Sequence, residues 1–223
     1  MTATLQCTGN RRTELSAVAP IKGLEWEGGA IGTAVWGGAR LADVLVAAGL
    51  SPDDPEVAHI QFEGLDRDMA GVGYGASIPA RTACDPAADV LLAYEMNGAA
   101  LPPDHGAPLR VVVPGTAGCR SVKWVGRVVA SGEESGSFWQ REDYKSFSPS
   151  TGWDTVDWAS APSIQAMPVT SLICEPARGA AVDDEEVEGA WGEWSGWGVR
   201  WSGGSQGEGC GWGAWSGGAG AAA

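Results

Sequence analysis

Leu5-Gln6-Cys7-Thr8-Gly9-Asn10-Arg11-Arg12 leads from an alternating stretch that opens at Ala3 into a polar turn. Ala3 to Cys7 has the pattern of a strand, and Thr8-Gly9-Asn10 ends it. The strand thus delivers Cys7 to its end, beside a glycine turn and two guanidiniums. Such surroundings lower a thiol pKa and favour thiolate, a soft ligand for transition metals. A single cysteine at a strand end is equally a small buried hydrophobe, and the residues alone leave both readings open. Cys84, Cys119, Cys174 and Cys210 lack comparable neighbours and read as structural. Five cysteines at wide, irregular spacing indicate neither a disulfide framework nor a zinc knuckle.

Working outward, Leu41 to Gly49 has apolar residues at helical spacing with a glycine stop, a short helix. Ala58 to Phe62 alternates as a strand that ends in Glu63-Gly64-Leu65-Asp66. Asp89 to Met96 is a short apolar element, and Asn97-Gly98 is a turn able to close a hairpin. Leu109 to Val113 is rich in β-branched residues and stops at Pro114-Gly115. Lys123 to Ala130 is a further strand candidate. Strands and short helices mix without regular βαβ alternation, which predicts an α+β fold of mixed sheets and short helices.

Composition narrows the function classes. The chain has 223 residues, 44% of them hydrophobic and 19% charged, which excludes a fully disordered chain. No apolar run reaches the roughly 20 residues of a membrane span. Fourteen cations against 28 carboxylates give a net charge of −14, so nucleic acid is excluded as a partner. The few cations gather in Arg11-Arg12, Arg110, Arg120 to Arg127, and Arg141 with Lys145, a distribution suited to a small anion or to surface ion pairs. After Pro176 the sequence becomes an acidic run and then a Gly/Trp/Ser repeat holding half of the twelve tryptophans. That repeat has no period of 2 or 3.6 and a high glycine content, so it reads as low-complexity tail.

Two further constellations could carry chemistry. Asp104-His105-Gly106 and Arg110, followed by Ser121-Val122-Lys123-Trp124, would bring His, Arg and Lys together around a phosphate or pterin-like anion. The other reading is a satisfied histidine and exposed cations. Phe138 to Pro149 sets aromatics beside Arg141 and Lys145. It is either packing beneath a loop or an anion pocket with a tyrosine hydroxyl aimed inward.

Leu5 to Arg12 resembles the metal-binding loop of the sulfite oxidase family of molybdenum enzymes. The same likeness extends through Gly23-Leu24-Glu25-Trp26, Phe62 to Asp66, Tyr74 to Ile78, Ala93 to Gly98, Asp104-His105-Gly106, Val113-Pro114-Gly115 and Val122-Lys123-Trp124. These blocks keep the family's order from about residue 3 to about residue 176. Assimilatory nitrate reductase shares most of them, whereas Trp139 to Pro149 and Ala161 to Gln165 are similar to the sulfite oxidase version. The resemblance implies a molybdenum–molybdopterin cofactor, with Cys7 as metal ligand. It places Asp66, His105, Arg110, Ser121, Val122 and Lys123 on the pterin, including its phosphate. Arg12 and Tyr144 fall on the oxyanion pocket, and Trp26 falls on its wall.

The implied reaction oxidises sulfite to sulfate by oxygen-atom transfer, and the electrons pass to an acceptor such as a cytochrome or oxygen. A nitrate reductase fragment and an inactive remnant of the family are the alternatives. The resemblance also implies a domain that begins before Met1 and continues beyond Pro176 into a dimerisation domain. On that view residues 1–172 are a partial molybdopterin domain, and residues 173–223 are a vestigial start of the dimerisation domain with a Gly/Trp tail. Family members are homodimers, and this chain is expected to lack the dimerising part and any haem segment. Family resemblance favours the mitochondrial intermembrane space, with the peroxisome second.

Overall fold

Two antiparallel sheets packed across a shared core carry the architecture. The structure is a computed structural model and describes residues 1–148 and 150–168. The calls on residues 173–223, with Cys174 and Cys210, lie outside the described residues. The first sheet joins β1 (Thr2–Gln6), β2 (Ile31–Arg40), β5 (Leu91–Met96), β6 (Ala99–Ala100) and β7 (Arg110–Val112). The second joins β4 (Gly73–Pro79), β3 (His59–Arg67) and β8 (Val125–Ser131). Helices are short: α1 (Arg12–Ser16), α2 (Leu41–Ala47) and α3 (Ala80–Ala83). This is the α+β fold that the mixed pattern predicts. No helix among the described residues is long and apolar enough to cross a membrane.

The main core draws on both sheets. Ile60, Phe62, Ala76 and Ile78 from β3 and β4 are buried against Leu41, Leu92, Val111 and Val113. In β3 these are the alternate positions of a strand with one covered face, whereas β4 is covered on both, with Ser77 fully buried. A second cluster sets Trp36 with Ala3, Leu91, Ala93, Leu101 and Val112 behind the larger sheet.

Several elements differ from their expected bounds, each for a local reason. β3 runs through its expected ending at Glu63-Gly64-Leu65-Asp66 to Arg67, with its pairing to β4 shifted between Glu63 and Arg67. The last strand starts at Val125 rather than Lys123, because Trp124 takes a φ of 49° that a strand cannot use. β2 and β4 are strands that the sequence pattern does not announce. Gly32, Gly37 and Gly38 dilute the β-forming residues of β2. At Gly38 the two chains come so close that a Cβ would lie 2.2 Å from the Leu92 carbonyl oxygen, and the ladder with β5 bulges there. The Asn97-Gly98 turn closes β5 on β6 as expected, with φ of 53° and 77°.

Candidate functional site

β3 bends where its pairing shifts, and β7 ends beside the loop that leads to β8. Between them lies a cavity of about 200 Å³. Asp66, Arg110, Ser121, Val122 and Lys123 line it, five residues that the sequence singles out, joined by Tyr74, Gly118, Cys119 and Trp124. Backbone pairing explains the gathering. Val111 N–H donates to the Val122 carbonyl at 2.8 Å, and Val113 N–H donates to Ser121 Oγ at 3.1 Å. Residues 121 and 122 are therefore pinned along β7.

Arg110 is only 6% exposed. Its Nη1 donates to the His105 carbonyl at 2.9 Å and its Nη2 to the Ser121 carbonyl at 3.2 Å. The guanidinium also sits 4.9 Å from the centre of the Trp36 ring, a cation–π contact. Burial pulls its pKa down to about 10, which leaves it charged at neutral pH. Lys123 Nζ donates to the Asp104 carbonyl at 2.9 Å and lies over the Trp124 ring. Neither cation of the cavity has a carboxylate partner among the described residues. Asp66 Oδ1 is buried without a hydrogen-bond partner among the described residues. Such an atom forfeits its water and gains nothing in return.

Cys7 follows the last residue of β1. Gln6 bridges in parallel to Ala117, and Cys7 N–H donates to the Ala30 carbonyl at 3.0 Å. The thiol Sγ accepts from Gly9 N–H at 3.3 Å. Cys7 is near enough to Cys119 and Tyr144 for a charge on it to bear on both. Burial pushes the Tyr144 hydroxyl up to about 12, helped by negative charge on Cys119, Asp143 and Cys7. Burial likewise pushes the Cys119 thiol up to about 11. Tyr74 is driven well above the usual range by burial, and its hydroxyl donates to the Cys119 carbonyl at 2.8 Å. Arg12 acts electrostatically on Asp143, so its charge lies near the neighbour of Tyr144. Its Nη1 donates to the Leu24 carbonyl at 2.6 Å.

The structure thus gathers most of the expected residues and sets two apart. The His105 side chain is exposed, and the residue reaches the cavity only through its carbonyl on Arg110. The Trp26 side chain is 40% exposed, and its carbonyl accepts from Thr13. Four cavity residues, Tyr74, Gly118, Cys119 and Trp124, escape sequence reasoning. Cys119, read as structural, has no cationic or turn motif of its own beyond the adjacent Arg120, and it enters the cavity on the Gly118–Arg120 turn. Tyr74 and Trp124 carry no local signal beyond their place in the quoted blocks.

The family model described as "Oxidoreductase molybdopterin binding domain" matches residues 1–139. The chain belongs to this family. Within it, the mitochondrial sulfite oxidase of Homo sapiens is 60% identical over 198 residues, which covers 89% of this chain and 36% of the relative. A nitrate reductase of Oryza sativa subsp. japonica is 43% identical over 143 residues, covering 63% of this chain and 16% of that protein. The crystal structure of the sulfane dehydrogenase SoxCD from Paracoccus pantotrophus superposes with a TM-score of 0.63 at 29% identity, over 79% of this chain and 41% of its own. The chain spans 36% of the length of the mammalian sulfite oxidases that it matches. The resemblance to the sulfite oxidase family read from the motifs is borne out, and nitrate reductase is the more distant relative.

Proposed function

We propose that this chain holds a molybdenum–molybdopterin cofactor and acts in the oxidation of sulfite to sulfate. The observation that carries the reading is the cavity, where an unpartnered buried carboxylate oxygen of Asp66 lies with the cations Arg110 and Lys123, beside a separate thiol at Cys7. A pterin offers N–H donors for Asp66, and its phosphate is an anion for Arg110 and Lys123. The residues present therefore fit the group. Cys7 would be the metal ligand. Cys7 is a single protein ligand in this reading, with the cofactor supplying further ones. When bound, the cofactor supplies two-electron oxygen-atom transfer.

The chain's own residues do the rest. Ser121 and Val122 fix the edge against which the pterin would lie, and the His105 carbonyl holds Arg110 in place. Arg12 supplies positive charge for an oxyanion. Tyr144 is protonated at neutral pH as any tyrosine is, and burial pushes its hydroxyl further up, to about 12, so it can donate to a sulfite or sulfate oxygen. Trp26 forms part of the wall. Residues 1–172 constitute this molybdopterin portion, and a homodimer would depend on chain beyond it. The electron acceptor is a cytochrome or oxygen. The mitochondrial names of the relatives support a mitochondrial location, here the intermembrane space.

The test is purification of the chain in a molybdopterin-competent host, with molybdenum and pterin quantified, then sulfite-dependent reduction of an artificial acceptor. Bound cofactor with sulfite turnover is expected. Bound cofactor that turns over nitrate and not sulfite would replace the reading, and a chain that binds neither metal nor pterin would be an inactive remnant.

A further inference from the structure

Arg120 is fully buried, on the same short turn that carries Cys119 into the cavity. Nε donates to the Ile164 carbonyl at 2.7 Å, and Nη1 donates to Gln140 Oε1. Nη2 is buried and has no partner among the described residues. No ion pair reaches this guanidinium among the described residues. Glu134 is one residue removed. Gln140, itself fully buried, stands between them and passes its Nε2 hydrogen to Glu134 Oε2 at 3.0 Å. Ser163 Oγ donates to the same oxygen at 2.7 Å. A guanidinium stripped of water and denied a carboxylate is rarely tolerated unless an anion completes it.

Of the groups on which Arg120 acts, Tyr144 belongs to the proposed sulfite site and Tyr74 and Cys119 to the adjoining cavity. Its charge bears on Tyr74, Cys119 and Tyr144, and also on His59. The same network holds the Tyr144 backbone: Ile164, whose carbonyl receives Nε, donates its own N–H to the Tyr144 carbonyl at 3.0 Å. The cations of the cavity, Arg110 and Lys123, belong to the pterin side of the reading.

We propose that Arg120 is a positioning residue for the substrate oxyanion, a buried fixed charge left uncompensated so that a small divalent anion beside Tyr144 completes it. This rests on the sulfite reading of the site. Gln140 is the spacer that keeps Glu134 from neutralising the charge first. Moving the carboxylate one residue closer should therefore weaken anion binding without changing the protein's composition of charge.

The test is the paired exchange Glu134→Gln with Gln140→Glu in the full chain carrying its cofactor. The exchange leaves net charge unchanged and keeps an acceptor oxygen on Arg120. Molybdenum and pterin content, sulfate affinity by calorimetry, and KM and kcat for sulfite are measured. Content and kcat within about twofold of the parent are expected, with the sulfate Kd and the sulfite KM both raised about tenfold. Glu134→Gln alone, which leaves Gln140 on Arg120, should bind sulfate like the parent. An unchanged sulfate Kd in the exchange would overturn the proposal. So would loss of pterin from the exchange, which would assign Arg120 to the cofactor's phosphate.

If the exchange does not fold, Arg120→Lys and Arg120→Gln decide the matter. The lysine is expected to retain sulfate binding and the glutamine to lose about tenfold, and equal losses would overturn the proposal. A parent chain that holds cofactor but binds no sulfate would overturn the sulfite reading and this proposal together.

Discussion

A Cβ placed on Gly106 would lie 2.8 Å from the Cβ of Lys123. Gly106 has a φ of 106° and accepts from Trp124 N–H through its carbonyl, so this contact fixes the loop that presents Lys123. Gly106→Ala meets both a clash and a conformation that L-residues avoid. It is expected to lower stability by about 1–3 kcal/mol and to release Lys123 from its place over the cavity. Denaturant unfolding and pterin content measure the two effects. Parent-like pterin content in a folded Gly106→Ala protein would show that Lys123 is not a cofactor contact.

Asp66 separates folding from binding. Its unpartnered Oδ1 is a burden to the chain without ligand, so Asp66→Asn should leave the melting temperature of the cofactor-free protein unchanged or raised. The same change should weaken pterin binding about 10- to 100-fold. A fall in both would mean that Asp66 holds the fold rather than the ligand.

Cys7→Ser tests the metal. Sγ accepts one hydrogen bond, from Gly9 N–H, and a hydroxyl can accept it as well. The fold is expected to persist, because β1 is held by its ladder with β2. Molybdenum measured by elemental analysis should drop to background, since serine replaces a soft ligand with a hard one. Full metal occupancy in the serine variant would remove Cys7 from the ligand set.

Cys119 gives a pH signature. With its thiol pushed up to about 11 by burial, alkylation at pH 8 should be slow and should rise about tenfold per pH unit toward that value. Peptide mapping after timed iodoacetamide exposure reads the rate at Cys119 alone. Tyr144 follows the same sign. Its folded value, about 12, lies above the ordinary tyrosine value of about 10, so the protonated form favours the folded state. That contribution is full below pH about 10 and is lost as pH climbs toward 12. A Cys119 rate that levels off near pH 8 would contradict its burial.

Much of the site was legible because it rides on strong local signals. The Thr8-Gly9-Asn10 break places Cys7 at a strand end, and the β-branched run before Pro114-Gly115 places Arg110 on a strand. The quoted blocks then supply Asp66, Ser121, Val122 and Lys123, which backbone pairing brings to one cavity. What the pattern missed depends on contacts far apart in sequence. Gly-rich β2 is a strand because β1 and β5 pair with it on either side. Cys119 faces the cavity because Tyr74, 45 residues earlier, holds its carbonyl. His105 also enters the site through its peptide oxygen on Arg110, a contact that no sequence pattern announces.

The cavity is borrowed from two walls that belong to different sheets and share no ladder. Asp66 and Tyr74 stand on the three-stranded sheet and Arg110 on the five-stranded one. Side-chain packing, Phe62 and Ile60 against Leu92 and Val111, joins those walls, helped by a few hydrogen bonds such as Val125 N–H to the Leu109 carbonyl at 2.8 Å and the Tyr74 hydroxyl to the Cys119 carbonyl at 2.8 Å. Packing loosens in increments, whereas ladders break together. On warming, the jaws therefore drift apart while both sheets are still intact. Release of the bound group should come at a lower temperature than the loss of the far-ultraviolet β signal, and the gap between the two temperatures is a direct gauge of how firmly the walls are clamped.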